Sequence, residues 1–311
     1  LAITLLITLL QNRVNNPRFG KAALSSERKT LIKPKTKLQK AYVFLLSLLV
    51  LILFVSPILS LVSRSLVTME AARGERGEVQ TGFTLRYYSE LFHNRTGSVF
   101  YANPLAAIRN SLIFSFLTLL IATTLGLISA YALANSGKST RFLEPLFILP
   151  LGASAVILGL GFLISFNHAP WTSGRFPILI PIAHALIALP FVVRTILPAI
   201  RGIPNSLREA AASMGAQPLR VFKEVDLPIL LRAVIVSLAF AFTISLGEFG
   251  ASSFLSNAQT PTIPVLIFRY ISQPGALNYG QALAMSTLLL ITSAAGSLLI
   301  EKIRLPGEEL F

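Results

Sequence analysis

The sequence predicts an all-α membrane protein with six transmembrane helices, preceded by the end of a further helix. Three observations predict it. Hydrophobic residues make up 53% of the 311-residue chain and charged residues 13%, about half the charged share of soluble domains. The mean hydropathy is +0.69. The apolar residues also gather into long runs, none of which shows the period-two alternation of a membrane barrel.

A bilayer core about 30 Å thick takes roughly 20 apolar helical residues to cross. Six stretches meet this requirement: 41–63, 109–134, 143–166, 177–200, 228–254 and 277–300. Before the first span, nine Lys and Arg between Arg13 and Lys40 face Glu27 alone, so residues 11–40 are expected to form a basic cytoplasmic linker. The loops 135–142 and 201–227 and the C-terminal end then fall on the same side, which holds seventeen of the 27 Lys and Arg. Both ends of the six-span domain, 41–311, are therefore expected in the cytoplasm. The formal charge of +14 is explained by membrane topology, with no nucleic-acid partner. Leu1–Leu10 are mostly apolar and run into the basic segment, the reverse of a signal peptide's order. They are expected to be the end of a preceding transmembrane helix, an interfacial apolar end being the alternative.

Some classes of chemistry are excluded at once. The chain has no Cys, so it has no disulfide framework, thiol nucleophile or thiolate metal site. Its three His argue against a His-rich metal site, and no cofactor is expected.

Polar residues are informative in so apolar a chain. Between the fourth and fifth spans, Pro204 precedes a capping-box pattern at Ser206 and Glu209, and Gly215 follows six residues later. The pattern predicts a helix of about 8 residues, too short to persist alone. Leu207, Ala210, Ala211 and Met214 follow the i, i+3, i+4, i+7 spacing and form an apolar stripe of mostly small side chains. Such a stripe suits docking into a groove of another protein, or packing on the membrane or on its own chain. A second apolar pair, Val221 and Phe222, follows the break.

The run Glu209-Ala210-Ala211, then Gly215, Val225, Leu227 and Pro228, resembles the EAA signature of binding-protein-dependent ABC importer permeases, EAA-x3-G-x9-I-x-LP. Every spacing matches; Val225 stands where the pattern has Ile. The resemblance implies six membrane helices in a bacterial inner membrane. It also implies an ATPase-coupling loop comprising Ser206, Glu209, Ala210, Ala211, Met214 and Gly215, with Leu227 and Pro228 marking the return into the fifth span. Implied partners are cytoplasmic ABC ATPase subunits, an extracytoplasmic solute-binding protein, a second permease half and membrane lipid. The chain lacks a phosphate-binding loop: Gly137-Lys138-Ser139 has Ala132 where the first Gly should stand. The protein is therefore expected to be a transporter subunit and no enzyme, with ATP hydrolysed by a partner.

The second polar place is Glu248, expected at the centre of the fifth span, in Ser245-Leu246-Gly247-Glu248-Phe249-Gly250-Ala251. A carboxylate at such depth costs about 2.5 to 3.5 kcal/mol. It must therefore meet a partner, water or a solute route, and packing and pathway roles both stand open. Ser245, Gly247, Glu248 and Gly250, with His184 in the fourth span, form the candidate substrate pathway. Pro177, Pro181, Pro190 and Pro198 predict a kinked or interrupted fourth span. The strings 247–251 and 274–280 resemble the permeases of ferric-iron and thiamine importers, in which two six-span halves are fused; that resemblance implies those solutes. Tyr87, Tyr88 and Phe92, in the 64–107 loop, stand as a contact surface for the binding protein or part of a solvated connector. A proton-coupled secondary transporter using Glu248 is the rival reading.

Overall fold

The computed structural model describes residues 34, 36–68, 82–93, 103–135, 144–166 and 177–302. The expected preceding helix at 1–10, most of the basic linker, and Asn167–Gly174 lie outside the described residues. Among the described residues the fold is helical, and its one β pairing is the isolated bridge Val67–Phe83.

Helix α1, Lys37–Ser65, starts at a capping box: Thr36 Oγ1 accepts from the Gln39 amide at 3.2 Å and Gln39 Oε1 accepts from the Thr36 amide at 3.3 Å. Only Ser65 of α1 is buried, while Leu45, Leu53 and Phe54 are among many large apolar side chains left exposed. In water such a face would be untenable for a monomer; in lipid it is the solvated face, so α1 owes little of its stability to the core. The short helix α2, Arg86–Glu90, is anchored to the bundle. Tyr87 is 4% exposed and lies against Gly280, Tyr88 Oη meets Ser65 Oγ at 2.7 Å, and Gln281 Nε2 donates to the Glu90 carbonyl at 2.9 Å. The described part of the 64–107 region thus contains a docked helix, and of the aromatics Tyr87, Tyr88 and Phe92 only Phe92 is exposed.

The core is built by α3, Pro104–Asn135, α6, Leu179–Gly202, and α9, Leu227–Gly247, which pack pairwise on one another. Leu119, Ala122, Val192, Ile196, Leu230 and Phe242 lie in one buried cluster between them. The fourth span is uninterrupted. Pro190 and Pro198 sit inside α6 and Pro181 in its first turn, where a missing amide costs nothing; Pro177 precedes the helix.

Two expected spans are broken. Within the expected span 143–166 the described residues form α4, Glu144–Ile148, a 3₁₀ turn, Leu149–Gly152, and α5, Ala155–Phe166, with a 98° bend between the two arms. Pro150 withholds an amide and Ala153 is extended, so no continuous helix forms there. Among the described residues five helices are each long and apolar enough to cross a membrane, and the bent pair supplies a sixth crossing if counted as one. The fifth span ends at Gly247, and the chain restarts as α10, Gly250–Leu255. Helix α11, Ile263–Ile271, and α12, Ala276–Lys302, complete the fold. Ser111 Oγ accepts from the Ile263 amide at 2.9 Å, which fixes the start of α11 against α3.

Helices α5 and α10 cross at backbone distance. A Cβ placed on Gly159 would lie 2.5 Å from Ala251 Cα, and one on Gly250 would lie 2.9 Å from the Val156 amide nitrogen. Gly159→Ala is therefore expected to force the pair apart and lower stability by about 1–3 kcal/mol, as overpacking does. Gly161→Ala, with open space at its Cβ, is the control. Thermal unfolding of the two variants in detergent checks this; equal melting temperatures would refute the close crossing.

Candidate functional site

The first site is the segment between α6 and α9. Helix α7, Asn205–Ser213, has the expected length, but Pro204 starts it and not Ser206. Pro204 is extended at φ −61°, ψ 131°, its carbonyl accepts from the Leu207 amide at 3.1 Å, and no side chain caps the helix. Proline at 204 fixes an extended entry two residues earlier than the Ser206–Glu209 pattern implied, which leaves Ser206 and Glu209 exposed within the helix. At the other end, Gly215 has φ +82°. Its amide donates to Ala212 O at 2.9 Å and the Ala216 amide to Ala211 O at 3.1 Å, the two bonds of a Schellman ending. The apolar stripe divides: Ala211 is buried at 8%, while Ala210 is exposed and Leu207 and Met214 are 45% and 82% exposed.

After the turn the chain is already helical at Pro218, ten residues before Pro228. Helix α8, Pro218–Val221, passes through a π turn, Phe222–Asp226, directly into α9. Leu227 and Pro228, expected to mark the return into the fifth span, open α9 directly after the π turn. The π turn has a local cause. The Leu227 amide bonds the Phe222 carbonyl five residues back, and the widened turn makes room for the Pro228 ring, which would otherwise press on the Glu224 carbonyl.

The π turn also places Asp226, which is 4% exposed. Its Oδ1 accepts from Arg208 Nε at 2.8 Å and its Oδ2 from the Tyr131 hydroxyl at 2.6 Å. The hydrogen bond to Asp226 raises the Arg208 pKa above that of a free guanidinium. Tyr131 meets Phe222 edge-on, with ring centroids 5.5 Å apart. Sequence reasoning missed this cluster, because no local pattern links positions 131, 208 and 226.

The second site lies at the break after α9. Glu248 is extended, at φ −75° and ψ 119°, and its carboxylate caps α10: Oε1 accepts from the Ala251 amide at 2.9 Å and Oε2 from the Ser252 amide at 3.1 Å. A short acidic cap between two glycines thus stops one helix and starts the next, so Glu248 does not sit within a continuous fifth span. His184 Nε2 lies 3.1 Å from Glu248 Oε2 and 2.8 Å from Ser252 Oγ, while its Nδ1 lies 2.8 Å from Ser245 Oγ. Ser245 Oγ in turn donates to Thr118 Oγ1 at 3.1 Å. All five side chains belong to residues less than 9% exposed. Three of the expected pathway residues, His184, Ser245 and Glu248, are thereby brought together, joined by Thr118 and Ser252, which the sequence did not single out. Gly250 instead faces the backbone of α5, and Gly247 is exposed.

Comparison with known proteins agrees with this architecture. A family model described as "Binding-protein-dependent transport system inner membrane component" matches residues 122–304. The chain is 33% identical over 208 residues to a probable sulfate transport system permease protein of Anthoceros angustus, covering 61% of this chain and 70% of that one. It is 28% identical over 210 residues to a putative 2-aminoethylphosphonate transport system permease protein of Salmonella paratyphi A, with coverages of 67% and 76%. To a putrescine transport system permease protein of Escherichia coli K12 it is 31% identical over 196 residues, with coverages of 61% and 67%. Its fold is similar to that of a chain in the crystal structure of a bacterial ABC transporter involved in alginate import, with a TM-score of 0.60, 19% identity, and 86% and 96% of the two chains covered.

Proposed function

This chain belongs to the family of binding-protein-dependent transport system inner membrane components, and on that premise we propose that it forms the solute route of an ATP-driven importer. It is a multi-pass inner-membrane protein, and ATP is hydrolysed by a separate subunit that docks on α7. The observation carrying this reading is α7 itself: a short helix with the EAA spacing, closed by a left-handed glycine and presenting Leu207 and Met214 to the outside. An isolated nine-residue helix is unstable, so a receiving groove is physically apt. Seventeen of the 27 Lys and Arg lie on the α7 side of the predicted topology, which supports a cytoplasmic docking face.

His184, Ser245 and Glu248, in this reading, shape the wall of the route by holding α10 in place, with Gly247 and Gly250 at its edges. A second permease half, fused or a second copy, completes the route, and a solute-binding protein delivers to its outer mouth. For the solute, the strings 247–251 and 274–280 favour ferric iron or thiamine, whereas the relatives are named for sulfate, 2-aminoethylphosphonate and putrescine. Uptake measured with all five decides between them.

The test of docking is Leu207→Glu with Met214→Glu. Both positions are exposed, so insertion and melting temperature should stay as in the wild type, while co-purification of the ATPase is lost. Unchanged ATPase capture would overturn the docking role. Uptake that survives ATP depletion and follows the proton gradient would favour the proton-coupled reading instead.

A further inference from the structure

Helix α7 is weakly packed for an element that transmits force. Its principal neighbour is the segment Pro218–Asp226. Beneath its start lies a cavity of about 380 Å³ lined by Ala134, Ile200, Arg201, Ile203, Asn205 and Arg208. A polar connection crosses from α7 to a core span. Arg208 of α7 donates to Asp226 at the entrance to α9, and Tyr131 of α3 donates to the other oxygen of the same carboxylate. Asp226 is buried, and in such surroundings both bonds are stronger and more directional than in water. A carboxylate held on both oxygens cannot rotate toward one partner without releasing the other.

We propose that Asp226 is a positioning residue, the joint through which movement of the docking helix α7 is carried into α3 and α9. The proposal rests on α7 being the docking helix. It assigns to Asp226 and Tyr131 a coupling role although neither lies on the exposed docking face. Arg208 is the α7 end of the joint, and the T-shaped contact of Tyr131 with Phe222 keeps the phenol aimed at the carboxylate.

The chain has no cysteine, so pairs of engineered cysteines can be labelled cleanly. Spin labels at the exposed positions Ser213→Cys on α7 and Ile128→Cys on α3 report the distance between the two helices in the full chain, bound to its ATPase subunits in nanodiscs. In the parent the distance should be narrow and unchanged on adding ATP, because α7 and α3 move together. In Asp226→Asn and in Tyr131→Phe, ATP should shift or broaden it by about 2 Å or more, the scale of helix shifts in switching proteins. Tyr131→Phe leaves the Arg208 ion pair intact and decides the matter if Asp226→Asn folds poorly. A distance that stays fixed with ATP in Tyr131→Phe, or one that already shifts in the parent, overturns the joint. Failure of the parent to capture the ATPase at all would instead overturn the docking reading.

Discussion

Glu248→Ala is expected to destabilise the protein by about 1–3 kcal/mol for each buried donor it leaves without an acceptor. The side chain is 7% exposed, and its carboxylate serves the Ala251 amide, the Ser252 amide and His184. Alanine leaves two amides at the start of α10 without acceptors and His184 without its acidic neighbour. Loss of a cap alone would cost about 0.5–2 kcal/mol, so a loss beyond that range tests whether the contact with His184 adds to it. Glu248→Gln keeps one carbonyl oxygen for an amide but turns an NH₂ toward a second donor, and should fall between alanine and wild type. Thermal unfolding gives the ranking, and hydrogen exchange across 250–255 should rise first, because α10 loses its start. If the variant melts as the wild type does yet transports poorly, the carboxylate acts on the solute directly and the holding role is wrong.

This residue also shows what was and was not legible in the sequence. Hydropathy placed the crossings at α1, α3, α6, α9 and α12 because lipid selects for long apolar runs whatever lies inside the bundle. It missed the breaks at Leu149–Gly152 and at Glu248 because both sit within runs that remain apolar. Hydropathy sums side chains, whereas a break is decided by a few backbone donors. The capping boxes make the same point. The S/T-x-x-E/Q pattern occurs at Ser206–Glu209, where the preceding proline pre-empts it, and at Thr36–Gln39, where the cap forms. The two differ in what precedes them, and a four-residue pattern does not contain that information.

The candidate site was legible where its chemistry is local and hidden where it is tertiary. The helix at 205–213 and its glycine ending follow from consecutive residues. The Tyr131–Asp226–Arg208 cluster joins positions up to 95 residues apart. The links from His184 to Ser245 and Ser252 span 61 and 68. Buried polar residues in apolar spans announce that partners exist, since unpaired they would be too costly. Only packing says which partners they have.

The turn at Gly215 supports the sharpest contrast. Gly215→Val is expected to abolish ATP-driven uptake and ATPase capture, whereas Gly215→Asn should retain most of both. The reason is conformational, with no steric clash involved: at φ +82° a Cβ on residue 215 would meet nothing within 4 Å. Left-handed backbone costs an ordinary L-residue about 1–2 kcal/mol, asparagine less, and a β-branched residue most of all. Strain of this size is small beside the stability of six spans, so the protein should insert and melt normally. It is large beside that of α7, whose nine residues end on the two Schellman bonds that the left-handed residue makes possible. Valine should therefore unwind the last turn of α7 and displace Met214 from the docking face while sparing the bundle. Valine, alanine and asparagine variants, compared for ATPase co-purification and for melting temperature, should order as Asn above Ala above Val in capture at near-constant melting temperature. Equal capture by all three would mean that the left-handed turn is dispensable for docking, and a parallel fall in melting temperature would mean that the turn supports the bundle.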